Sequence, residues 1–130
     1  MLLTGFVAFA KQTANKTVPL RNRVPAAKPQ KYRDVRDARQ WKNPCLIVYP
    51  NGVQIRANGA ALSGPTIPIS DVVGYLEKLP DRVWSYGLVV GVEENGIATK
   101  DEFASETRNL SELLQRLKDA GVQVELWPSG

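Results

Sequence analysis

The residues best equipped for chemistry are one thiol, Cys45, two adjacent carboxylates, Glu93 and Glu94, and an acidic group at Asp101, Glu102 and Glu106. A nucleophilic thiol needs a neighbour that lowers its pKa, most often an imidazole, and the sequence contains no histidine. Cys45 also opens the apolar run Cys45-Leu46-Ile47-Val48-Tyr49, where a buried structural thiol is expected. Neighbouring side chains of an extended segment point to opposite faces, so Glu93 and Glu94 do not share a proton and read as a solvated turn. Asp101, Glu102 and Glu106 fall in the first turns of a helix, where the macrodipole favours carboxylates, and their spacing offers too few converging oxygens for a cation.

One cysteine without histidine excludes an internal disulfide and a zinc site of the common kind. The glycines at 52, 59, 64, 87 and 91 lack the strand-loop-helix spacing of a phosphate-binding loop. The expectation is therefore no catalytic residue, no metal ligand and no cofactor. Trp84, Tyr86 and Trp127 remain as candidate partner-binding residues, because aromatics near strand ends dominate interface energetics; the competing reading packs them into core or rim.

The elements that must position these residues begin at Cys45. A β-branched and aromatic run, Cys45 to Tyr49, meets Pro50-Asn51-Gly52 and then the alternating Val53-Gln54-Ile55-Arg56, which predicts a hairpin with a three-residue loop and a bulge at Gly52. Asn58-Gly59 starts a further turn through Ala60 to Ser63. Ser70 as N-cap, Asp71 in the first turn and Val72, Val73, Leu76 and Leu79 at helical spacing predict a short helix that Pro80 stops. Tyr86 to Val92 is apolar enough for a central strand buried on both faces, closed by Glu93-Glu94-Asn95-Gly96. Thr99-Lys100-Asp101-Glu102 is a capping box opening a longer helix, with Phe103, Leu110, Leu113, Leu114 and Leu117 as one stripe and Gly121 at its C-terminus. Val122 to Trp127 alternates as a half-buried last strand, ended by Pro128. The fold class is α+β: a four-stranded mixed sheet in the order β-β-α-β-α-β with two helices on one face.

Charge divides the chain. Residues 1–44 hold ten Lys/Arg against Asp34 and Asp37, a net +8, whereas residues 45–130 hold seven basic groups against eleven acidic ones, a net −4. Pro19, Pro25, Pro29 and Pro44 interrupt residues 11–44, and neither helical nor strand periodicity is sustained there. Residues 1–44 thus read as a signal or anchor remnant followed by a basic linker or arm, with Trp41 available to anchor it, and residues 45–130 as a single domain. Met1 to Ala10 is too short to cross a bilayer as a helix, and Ala8-Phe9-Ala10 fits the small-x-small pattern before a signal-peptidase cut. Membrane contact is expected only through an N-terminal segment extending upstream of Met1.

The element order, the small hairpin, the second Asn-Gly pair and the ending Gly121-Val122-Gln123-Val124 resemble the exported domain of the ExbD/TolR family of energy-transducing membrane proteins. The resemblance covers residues 45–127 and implies a transmembrane helix and Pro-rich linker ahead of a periplasmic domain. The family's polar transmembrane aspartate has no counterpart in Met1 to Ala10, and Glu93 to Ile97 departs from the family pattern, so what carries over is the domain shape. The functional expectation is a small exported, periplasmic or secreted domain that acts by protein-protein contact or as a homo-oligomer, not by catalysis. The alternative is a cytoplasmic nucleic-acid-binding module using the basic N-terminal arm, which lacks an accompanying base-reading aromatic motif.

Overall fold

The computed structural model describes residues 18–57, 65–94 and 99–127. Its regular elements are a one-turn helix α1 (Leu20–Arg23), strands β1 (Cys45–Tyr49) and β2 (Gly52–Arg56), helix α2 (Val72–Glu77), strand β3 (Val89–Glu94), helix α3 (Lys100–Asp119) and strand β4 (Gln123–Trp127). The strands form one mixed sheet in the order β2-β1-β3-β4. β1 and β2 pair antiparallel as a hairpin, and β3 runs parallel to both β1 and β4. Parallel neighbours need a crossover, and α2 and α3 supply the two that this order requires.

Strand alternation sorts the side chains into two cores. Leu46 and Val48 of β1 and Val90 and Val92 of β3 face the helices, where they bury Val72 and Leu76 of α2 and Leu113 and Leu117 of α3. Cys45, Ile47 and Val89 face the other way. The α+β class, the mixed four-stranded sheet and the helices over one face are therefore as the apolar pattern predicts. Burial of both faces of β3 follows from the two cores, which cover it from opposite sides.

The second core corrects the reading of residues 18–44 as a loose arm. Leu20 and Val24 insert into the helix-side core, while Tyr32 and Trp41 cover the opposite face of the sheet beside Tyr86. Backbone bonds continue the sheet into this segment, Leu88 N–H donating to Pro25 O and Lys28 N–H to Tyr86 O. The Arg23 guanidinium donates to the carbonyls of Glu77 and Leu79 at the end of α2 and pairs with Asp81 at 3.0 Å. Contacts made by four widely spaced apolar residues leave no period to detect, which is why composition alone read as linker.

Asn43 and Pro44 join this segment to β1. Gly91 N–H donates to Pro44 O, and in a parallel ladder the same residue would return its own N–H to Val89 O. Proline has no N–H to give. The Asn43 amide takes that place: Nδ2 donates to Val89 O at 2.7 Å and to Gly87 O at 2.8 Å, while Oδ1 accepts from Tyr86 N–H at 2.8 Å. The residue is 1% exposed with every bond made, as burial of an amide demands.

Local boundaries differ from the sequence reading in three places. Tyr49 pairs with Gly52, so the hairpin loop is the two residues Pro50-Asn51 and Gly52 belongs to β2. Gly52 has φ +144°, and a Cβ there would lie 2.4 Å from Ile67 O. Ser70 is no N-cap; it sits inside a 3-10 turn, Ile69–Asp71, that leads into α2 without a side-chain cap. The third strand begins at Val89, not Tyr86, and includes Glu93 and Glu94, which are strand residues and not a turn because β1 still pairs with them through Ile47 and Val48. Asn58-Gly59, Ala60 to Ser63, Asn95-Gly96 and Pro128 lie outside the described residues, as does Met1 to Ala10.

Candidate interaction site

The turn from α3 into β4 is specified by Gly121. At φ +80° it accepts the left-handed conformation that ends the helix, its N–H donating to Lys118 O while Val122 N–H donates to Leu117 O. This reciprocal pair satisfies the last helical carbonyls and folds β4 back along α3 at once. At the other end the Thr99 hydroxyl accepts from Glu102 N–H at 3.2 Å, and the Glu102 carboxylate accepts from Thr99 N–H at 2.8 Å. α3 is thus fixed at both ends, with Asn109 Nδ2 also donating to the carbonyls of Tyr49 and Pro50 in the hairpin loop.

Between α3 and β4 lies an open groove of about 540 Å³, walled by Leu114 and Lys118 of the helix, Gly121 and Val122 of the turn, and Val124 and Leu126 of the strand. Leu126 is 61% exposed, a large apolar side chain on a strand with no neighbour on its outer side among the described residues. Gln123 N–H donates to Leu88 O, so in the alternation of a parallel pair Gln123, Glu125 and Trp127 spend their backbone groups on β3. The N–H and C=O of Val124 and Leu126 point outward. The opposite edge of the sheet is treated differently: Val53 of β2 exchanges both backbone bonds with Ile67, at 2.9 and 2.8 Å.

The three aromatics singled out from the sequence are not brought together. Trp84, 5% exposed, belongs to the helix-side core; Tyr86, also 5% exposed, lies on the opposite face. Tyr86 packs against Tyr32 and Trp41 with ring centroids 5.5 and 4.9 Å apart, and Trp41 meets Trp127 at 5.9 Å. Two of the three are therefore interior residues, Trp84 in the helix-side core and Tyr86 under the segment that composition read as linker. Only Trp127, half-buried at the end of β4, borders the open edge. Leu126, Val124 and Leu114, which line the groove, were legible as an alternating strand and a leucine stripe, but nothing in that pattern told which members stay uncovered.

The chemistry-bearing residues are dispersed. Burial pushes the Cys45 thiol up to about 11, with the Glu93 carboxylate adding to the effect and Arg56 opposing it. A thiol so protonated is no nucleophile near neutrality. Desolvation, aided by Glu125, also raises the Tyr32 hydroxyl above its ordinary value. Glu93 and Glu94 sit on opposite faces of β3, while Asp101 and Glu102 are exposed on the first turn of α3 and Glu106 is buried one turn on. Among the described residues no three acidic, cysteine or histidine groups are placed to hold a metal ion, and no helix is long and apolar enough to cross a membrane.

No protein-family model, curated protein or solved structure matches this chain.

Proposed function

We propose that this is an exported or membrane-tethered α+β domain that acts by protein-protein contact, and that an extended segment of a partner protein adds to β4. The observation that carries the reading is the combination at one edge of backbone groups at Val124 and Leu126 that no strand pairs among the described residues with an apolar groove against α3. Main-chain bonds give such an added strand its affinity, and the groove accepts its alternate side chains. The order β-β-α-β-α-β, on which the resemblance to the ExbD/TolR exported domain rests, supports the address, and the placing of Cys45, Glu93 and Asp101 on three separate elements supports binding.

The test uses a photoreactive side chain at Lys118, on the groove wall, in cells producing the full chain. A discrete adduct is expected there and not with the same probe at Arg108. Leu126→Pro removes one outward N–H and little packing, since the ladder to β3 does not use that donor. It should abolish the adduct while the denaturation midpoint is retained; an adduct that survives Leu126→Pro, or none above the Arg108 control, sinks the reading. An adduct of twice the chain mass identifies the partner as a second copy. Export is read separately by a C-terminal reporter active only outside the cytoplasm, and an inactive reporter removes that half of the proposal.

A further inference from the structure

The folding of residues 28–42 onto the sheet has an electrostatic result. Tyr32 and Trp41 are turned inward, at 6% and 2% exposure, so the charged residues between and around them are carried on the outer side of the layer. Lys31, Arg33, Arg36 and Lys42 are exposed and Lys28 partly so. Arg39 is spent on Asp37, bound through Nε and Nη2 at 2.8 to 3.2 Å, and this pairing holds the Asp37 carboxyl below its usual range. None of the other five cations has an ion-pair partner among the described residues, and Asp34 is the one further acid of the segment. Residues 28–42 hold six basic groups against Asp34 and Asp37, a net +4, whereas residues 45–130 carry a net −4. The charge of the segment layer is therefore opposite to that of the domain that follows it.

We propose that Lys28, Lys31, Arg33, Arg36 and Lys42 form a docking face for the headgroups of an anionic phospholipid bilayer. The layer is a broad basic surface whose aromatics are buried, with Tyr32, Trp41 and Tyr86 stacked on one another. Single-stranded nucleic acid is held by exposed aromatic platforms, and none of these three is free to serve as one. A bilayer needs only a surface of unneutralised cations, each strengthening attachment about fivefold near an anionic surface. Val124 and Leu126 lie on the helix side of the sheet, so attachment through the segment layer leaves the groove open to a partner. The inference rests on the tethered reading above only for the choice of a membrane, and the measurement separates the two.

Full chain is partitioned between buffer and sedimentable vesicles of pure phosphatidylcholine, or of phosphatidylcholine with one third phosphatidylglycerol, at low and at physiological salt. Attachment to neutral vesicles reports a hydrophobic tether; the increment on anionic vesicles reports the basic face. That increment is expected to fall with salt and to drop about 100-fold in Lys31→Gln/Arg33→Gln/Arg36→Gln. The same loss of charge on α3, Lys100→Gln/Arg108→Gln/Arg116→Gln, should leave it unchanged, and far-ultraviolet dichroism checks that both variants fold. Equal partition into the two vesicle types overturns the proposal, as does an equal fall in both variants. Tighter binding to random duplex DNA than to anionic vesicles at the same salt overturns it in favour of nucleic acid.

Discussion

Replacement of Asn43 by alanine should be among the most damaging single changes in the domain. Its amide makes three bonds of 2.7 to 2.8 Å, and truncation strands Val89 O and Tyr86 N–H in the interior, while Gly87 O keeps the Val89 N–H as its partner. At roughly 1 to 1.5 kcal/mol for each buried group left without a partner, the loss is about 2 to 3 kcal/mol. In urea, with a slope of about 2 kcal/mol per molar for a domain of this size, the midpoint should fall by about 1 to 1.5 M. The mechanism is tested by Pro44→Ala in the Asn43→Ala background, because alanine restores the main-chain N–H that would complete the ladder to Val89 O. About 1 kcal/mol should return, visible as coupling in the double-mutant cycle. A loss below about 1 kcal/mol for Asn43→Ala, or no recovery on adding Pro44→Ala, would refute the substitution of a side-chain amide for a main-chain donor.

Cys45 makes stability depend on alkaline pH. Its thiol titrates near 9.0 in the unfolded chain and about 11 in the fold, so its contribution is complete below pH 9 and lost as pH rises toward 11. Between pH 8 and pH 10 the stability of the wild-type chain should fall by about 1.3 kcal/mol more than that of Cys45→Ala, measured by urea titration at each pH; parallel pH profiles would show that the thiol is not desolvated. The two glycines of opposite surroundings should respond with opposite signs. Gly52→Ala, with φ +144° and Ile67 O 2.4 Å from the new Cβ, should lose more than about 2 kcal/mol, while Gly74→Ala on exposed helix α2, with nothing within 4 Å, should gain roughly 0.5 to 1 kcal/mol. Thermal melts decide both, and a neutral Gly52→Ala would contradict the close approach of Ile67 to β2.

What the sequence disclosed were features whose cause is local. The Thr99 and Glu102 capping box and Gly121 beyond Asp119 satisfy backbone groups within a few residues, so they were readable without knowing the fold. Alternation and the leucine stripe found β4 and α3, though Phe103, placed in the stripe, is 61% exposed. What stayed hidden depends on contacts distant in the chain. Tyr32 and Trp41 look like isolated aromatics among charges until Tyr86, more than forty residues on, supplies their counterpart. The same pairing removed Tyr86 from the candidate surface, and the buried position of Trp84 against the helices removed another. The open edge was legible only as a possibility of the sheet; that β4 and not β2 carries it follows from Ile67, which no periodicity marks.

The bonds between Ile67 and Val53 also limit what the molecule can build. A sheet with two free rims can be extended from both, and identical subunits then stack into filaments without end. Here Val53, on the far rim, already exchanges its backbone bonds with the chain's own Ile67, so that position is not open to an incoming strand. Strand addition at β4, as proposed, would then favour a closed pair over a filament.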